Sequence, residues 1–243
     1  MTEIPGALRA LASHLIDYAG VYPPAALPLA EAVEQYREIL AGPENWILNR
    51  MVLPARKLAD VRLGGEWRVT LVVDGEPGQL PRQVETLETK GRRKLSLPTY
   101  CEAPIAEIED GFAKVRTGGL TPEATPSAET LADFLAAAAA RRLPFKATAG
   151  LHHALRAGAQ HGFLNVFVAA VFAWHNAGRG VLVDILDETD SRAFAFGNAG
   201  LLWRGRGFAT AQVEAARRLF AHSFGSCSFD EPVGDLRDLG LLP

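Results

Sequence analysis

The sequence predicts an α/β fold, a single-domain (β/α)8 TIM-like barrel over residues 1–243, and three observations point there. Short β-rich runs alternate with helical runs, the pattern of a parallel sheet with helices packed on it. Eight β-rich runs can be counted, and 243 residues lie near the ~250 typical of that barrel. No Pro/Gly/Ser-rich linker, internal repeat or low-complexity tract beyond Ala136 to Ala140 divides the chain. An open doubly wound parallel sheet is the alternative arrangement.

The expected strands, in order, are Leu15 to Val21, Trp46 to Leu53, Arg68 to Val73, Leu95 to Cys101, Phe112 to Arg116, Pro144 to Thr148, Ala193 to Phe196 and Phe224 to Phe229. The first intervening helix is opened by Pro28 and closed after Leu40 by Gly42, and a second is expected from Leu80 to Thr89. Ser127 can cap a helix from Ala128 to Arg142, with Pro144 barring its continuation. Further helical runs extend from His161 to Asn176 and, behind Thr210 as a cap, to Ser223. Between Gly178 and Trp203 the pattern is weakest: Val181 to Asp187 reads equally as helix or strand.

Composition narrows the function. The chain is 48% hydrophobic and 22% charged with a formal charge of -3, an ordinary globular balance without a general basic field for nucleic acid. The basic run Lys90-Gly91-Arg92-Arg93-Lys94 reads as a solvated helix-to-strand corner. Cys101 and Cys227 sit in apolar strand-like segments, which suggests a reducing, cytoplasmic setting without a disulfide framework. Met1 to Pro5 lacks the features of a signal peptide, and the apolar run Phe163 to Trp174 is too short for a bilayer, so it is expected to be a buried helix and no membrane partner is expected. Self-association into a homo-oligomer is compatible with the sequence.

The chemistry-bearing residues concentrate at strand ends. Strand side chains alternate faces, so the apolar pairs Ala113/Val115 and Phe145/Ala147 should face helices and send Lys114, Arg116, Lys146 and Thr148 into the barrel. By the same parity Leu95 and Leu97 face out while Tyr100 and Glu102 face in. Two lysines on neighbouring strands, roughly 4.8 Å apart, would depress each other's proton affinity, and a neutral lysine amine attacks carbonyl carbon. Glu102 could hold or relay the proton, and Arg116 could hold a negative charge on the substrate. The small-residue turns Thr117-Gly118-Gly119, Thr148-Ala149-Gly150 and Gly225-Ser226-Cys227-Ser228 would offer backbone amides and the Ser226 and Ser228 hydroxyls to a phosphate or carboxylate. The expected ligand is therefore a small anionic molecule, and no cofactor is called for.

These segments resemble deoxyribose-phosphate aldolase and its class I aldolase relatives. The resemblance rests on Lys114-Val115-Arg116-Thr117-Gly118 followed by Lys146-Ala147-Thr148-Ala149-Gly150, with Phe224-Gly225-Ser226-Cys227-Ser228 similar to the phosphate-binding turn of their last strand. It implies a TIM barrel in which Lys114 forms a Schiff base and Lys146 tunes it. Arg116 and His152-His153 depart from the family pattern at the two strand ends. Asp17-Tyr18-Ala19-Gly20, Lys146 to His153 and His161-Gly162-Phe163-Leu164-Asn165 also resemble a bacterial family that carries no assigned activity.

Two rival readings follow from other residues. His152, His153 and His161, with Glu102 and Asp74, could ligate a metal in a hydrolase or lyase, although the spacing matches no recognised zinc motif; His152 and His153 could instead transfer protons, and His161 and Asn165 could reach the same mouth. Alternatively, Lys114 and Arg116 could pair with Glu102 and Glu107 in a structural ion network of a non-catalytic barrel. Asp17, Asp74 and Asp230-Glu231 read as caps for following helices, Asn49-Arg50 takes no definite face, and His14, His175 and His222 carry no spacing signal.

Overall fold

The computed structural model describes residues 3–93 and 95–243; Met1, Thr2 and Lys94, which ends the basic run, lie outside them. In chain order the strands are β1 (Ile16–Tyr18), β2 (Leu48–Pro54), β3 (Val69–Val72), β4 (Val84–Lys90), β5 (Thr99–Glu102), β6 (Phe112–Arg116), β7 (Phe145–Thr148), β8 (Phe194–Phe196), β9 (Gly200–Trp203), β10 (Arg206–Ala209) and β11 (Ala221–Ser226). The helices are α1 (Gly6–Ala12), α2 (Leu29–Ala41), α3 (Ala128–Ala140), α4 (Phe163–Trp174), α5 (Arg179–Leu186), α6 (Thr210–Leu219) and α7 (Asp230–Asp238). Strands β1 to β7 pair in sequence, all parallel, and β11 pairs with both β7 and β1, which closes an eight-stranded barrel. The fold is a TIM-like barrel, and closure rules out the open doubly wound sheet.

Local sequence explains the helices that were expected. Ser127 Oγ accepts the Thr130 N–H at 3.2 Å and starts α3, while Pro28 and Gly42 bracket α2. Helix α4 is buried along nearly its whole length because it lies between β11 and helices α3, α5 and α6. Among the described residues no helix is long and apolar enough to cross a membrane. Helices flank only part of the barrel: between β2 and β6 the connections are loops and short 3-10 turns at 55–60 and 105–107. Side chains such as Leu58, Leu63, Leu80 and Leu97 from those loops pack on the core there.

Three stretches depart from expectation. The run from Leu80 to Thr89 is not a helix; its second half is β4. Val84 and Leu87 mimic a helical i, i+3 stripe, but the strand is buried on both faces, with Thr86 and Glu88 sealed inside the barrel. Ala193 to Phe196 supplies no barrel strand. It forms β8, which pairs antiparallel with β9 in a separate three-stranded sheet with β10; Phe194 is buried while Ala195 is exposed, a one-sided burial unsuited to a parallel barrel strand. The last strand begins at Ala221, three residues earlier than expected, and α6 correspondingly stops at Leu219.

The ends of β6 and β7 touch. A Cβ on Gly118 would lie 2.8 Å from Gly150 Cα, and Gly150 itself has φ +81°. Thr117 Oγ1 donates to the Ala149 carbonyl at 2.5 Å and ties the same two loops together. These glycines therefore have a packing reason to be glycine, whatever else their amides do. Gly150→Ala is expected to lower stability by about 1–3 kcal/mol, read as a lower urea midpoint at unchanged m-value. A variant as stable as the parent would show that the loops can part without cost.

Candidate functional site at the barrel centre

The interior of this barrel is polar where branched aliphatic side chains usually fill it. Lys114 on β6 is in register with Lys146 on β7, and Lys146 with Ser223 on β11. The parity argument sends these side chains inward, and the ion pairs they make agree. Lys146 is fully buried, and its Nζ donates to Asp17 Oδ2 and to Glu88 Oε1, each at 2.5 Å. The other oxygen of Glu88 lies 3.5 Å from Lys114 Nζ, which is also 3.1 Å from Glu102 Oε2. The result is one chain of alternating charge, Asp17, Lys146, Glu88, Lys114, Glu102, drawn from five strands.

The two ends of this chain differ in environment. Asp17 is completely buried, and it also accepts from Asn49 Nδ2 at 2.7 Å and Ser223 Oγ at 2.8 Å. Burial alone would raise its pKa, but the Lys146 ammonium and, behind it, the Arg50 guanidinium outweigh that and hold it below the ordinary aspartate value. Burial likewise opposes the charge on Lys146, and the two carboxylates reverse this, raising it above the ordinary lysine value. Lys146 is therefore a fixed cation, not the neutral amine that mutual repulsion of two lysines would produce. Glu102 is the most open member, its side chain 27% exposed, and Lys114 lies between it and the sealed interior.

Above this layer, at the carboxyl ends of the strands, stand Lys90, Arg116, Thr148 and Gly225. Arg116 is exposed and makes no ion pair among the described residues. The loop after β1 adds Tyr22. Its hydroxyl is buried and, among the described residues, is the one buried side-chain polar atom without a hydrogen-bond partner. Burial and then the nearby Glu88 carboxylate push its pKa well above the ordinary tyrosine value, so it is a neutral O–H donor in the field of the core.

The other expected residues are dispersed. His152 pairs with Glu231 at 2.8 Å and His153 with Asp235 at 3.2 Å, contacts that dock α7 on the loop after β7. His161 is buried, with Nε2 2.8 Å from the Pro126 carbonyl and Nδ1 3.1 Å from Arg156, and burial lowers its pKa. The network thus assigns it the neutral tautomer with Nε2–H donating. Asn165 is also fully engaged: it donates to the carbonyls of Ile185 and Glu188 and accepts from Arg156 N. These histidines do not assemble into a ligand set, and among the described residues no three His, Cys, Asp or Glu side chains are grouped to hold a metal. Ser226 is in register with Tyr18, which contacts α2, so it faces outward; its Oγ accepts the Ser228 N–H, and Ser228 Oγ accepts the Glu231 N–H.

Asp17, expected as a cap, is instead the innermost anion. Glu88, Asn49, Ser223 and Tyr22 were not anticipated. The parity of Ile16-Asp17-Tyr18, an acid between two apolar residues, is the signal that could have placed Asp17; Glu88 was hidden by the misread strand.

Lys146→Met would leave Asp17 and Glu88 buried without their shared cation, and is expected to cost about 3–5 kcal/mol in denaturant unfolding. Lys114→Met, at the looser end, is expected to cost less than half as much. Equal effects, or a stabilising Lys146→Met, would contradict the ordering of the two sites.

No protein-family model, no curated protein and no solved structure matches this chain, so its chemistry has to be argued from the core itself.

Proposed function

We propose that this barrel is a lysine-dependent lyase of the aldolase type, acting through a Schiff base on a small anionic carbonyl compound or sugar phosphate. The observation that carries the reading is the unequal pair: Lys146 is locked as a cation by two 2.5 Å contacts, while the neighbouring Lys114 is held at 3.1 and 3.5 Å on the side of the open Glu102. A nucleophile must reach the substrate, and of the two lysines Lys114 is the more loosely held and the nearer to the open end of the core.

In this scheme Lys114 Nζ, its proton passed to Glu102 or Glu88, adds to the substrate carbonyl carbon. The nitrogen gives up a second proton to the other carboxylate, and the carbinolamine oxygen takes both protons from these two acids and leaves as water, giving an iminium ion. Cleavage of the adjacent carbon–carbon bond sends its electron pair into the iminium to form an enamine, while the substrate hydroxyl proton passes to a core carboxylate as the aldehyde forms. Reprotonation of the enamine and hydrolysis by water restore the free amine. Lys146 serves as a constant positive charge one strand away, stabilising negative charge on oxygen. Arg116 and the amides of the 117–119 and 148–150 turns suit the anionic end of the substrate, and the unpartnered Tyr22 hydroxyl is a donor available to a substrate oxygen.

A second reading has an observation of its own: each lysine already has two carboxylates, so the chain of charges is compensated without a substrate. That would suit a non-catalytic barrel. Sodium borohydride added with acetaldehyde or glyceraldehyde 3-phosphate separates the two. The chain has five lysines, so peptide mapping by mass spectrometry locates the adduct. A reduced adduct on Lys114 that disappears in Lys114→Met is expected; modification confined to other lysines, or none, would favour the structural network.

A further inference from the structure

A cavity opens not at the carboxyl ends of the strands but at the opposite mouth. Its volume is about 880 Å³, and its walls come from the first residues of β2, β4, β5, β6 and β11, from the end of α6 and from the segment before β1. Nothing in the proposed lysine chemistry uses it.

Its charge is the first clue. Five arginines line it, Arg9, Arg50, Arg68, Arg217 and Arg218, against two acids, Glu85 and Glu214, in a chain whose net charge is -3. Arg50 and Arg68 both pair with the single Glu85 carboxylate, at 2.8 and 3.1 Å, which leaves that trio positive. Arg217 is buried and donates to the main-chain carbonyls of Leu11, Ser13, His14 and His222; among the described residues it has no carboxylate partner, and burial depresses it to about 9. Arg9 lies over the Trp46 ring at 4.6 Å, and Arg218 is exposed and makes no ion pair among the described residues. A concave, low-dielectric pocket with an excess of fixed cations concentrates anions.

The second clue is its floor. Tyr100, Phe112 and His222 meet with ring centroids 5.2 to 6.0 Å apart, and Tyr100 OH is 2.8 Å from His222 Nδ1. Burial and then the Arg217 and Arg50 guanidiniums hold His222 down to about 4, so near neutral pH its ring is uncharged and adds to an aromatic surface. Inorganic phosphate would fill a small part of this space and leave the rings uncovered. A polynucleotide would meet a surface whose overall charge repels it.

We propose that the amino-terminal mouth of the barrel is a second binding site, for a small aromatic polyanion of the nucleoside polyphosphate class, whose ring system lies against Phe112 and His222 and whose phosphates meet Arg50, Arg68 and Arg218. The proposal does not depend on the reading of Lys114 and Lys146.

Isothermal titration with ATP, without metal, tests it. One saturable site with a submillimolar Kd is expected, weakening about tenfold or more in the double variant Arg9→Gln/Arg218→Gln, whose two side chains are exposed and leave the core intact. Inorganic triphosphate is expected to bind at least about tenfold more weakly than ATP, because it cannot use the rings. Absence of saturable binding, an unchanged affinity in the double variant at unchanged melting temperature, or triphosphate binding as tightly as ATP would each overturn the assignment.

Discussion

A single ammonium group, that of Lys146, governs the interior of this barrel. It sits where water does not reach, and an isolated ion there would cost many kcal/mol, so the chain must bring it carboxylates with good geometry. Asp17 and Glu88 do so from β1 and β4, which flank β7 on its two sides two and three strands away, and each is in turn supported: Asp17 by Asn49 and Ser223, Glu88 by Lys114. The requirement explains why β1 and β4 carry acids at mid-strand, and why the barrel is packed by hydrogen bonds and ion pairs at its centre. It also divides the two lysines into one tightly clamped and one loosely held.

That division is the physical basis for the reaction proposed. Two amines placed side by side would repel each other; Glu88, inserted between them, bridges both, with short contacts to Lys146 and a longer one to Lys114, which also meets Glu102. The same core separates the two mouths. On the carboxyl side lie Glu102, Arg116 and the Tyr22 hydroxyl; on the amino side lie the arginine-lined cavity and its aromatic floor. Asn49 belongs to both, lining the cavity and donating to Asp17, and the Arg50 charge is felt by Asp17 from the cavity side.

How much of this is legible in the sequence follows from one physical distinction. Where a strand has an apolar face against helices and a polar face inward, as in Phe112 to Arg116 and Pro144 to Thr148, alternation alone sets the direction of Lys114 and Lys146. Where the outer face is covered by loops, as at β4, the apolar residues are sparse and spaced like a helical stripe, and the strand that carries Glu88 is lost. Capping chemistry is similarly informative at Ser127 and Pro28 and misleading at Asp17, because an acid near a strand end is read locally while its partner, Lys146, is 129 residues away. The clustered histidines suggested a site by proximity in the chain alone; in space each is paired with a different element. The cavity at the amino mouth has no local signature at all, since its arginines come from α1, β2, α6 and the residue before β3.

The roles of both lysines depend on the protonation of Lys146. Heteronuclear NMR of the lysine side chains, recorded across pH and assigned by comparison with Lys114→Met, reads it directly. Because the folded-state pKa is raised, the Lys146 ammonium should stay protonated as the pH passes the ordinary lysine value of 10.5, and the stability it contributes should be fully present below that value and lost only above it. A Lys146 amine that titrates near neutral pH, with Lys114 the one that remains charged, would reverse the roles assigned here.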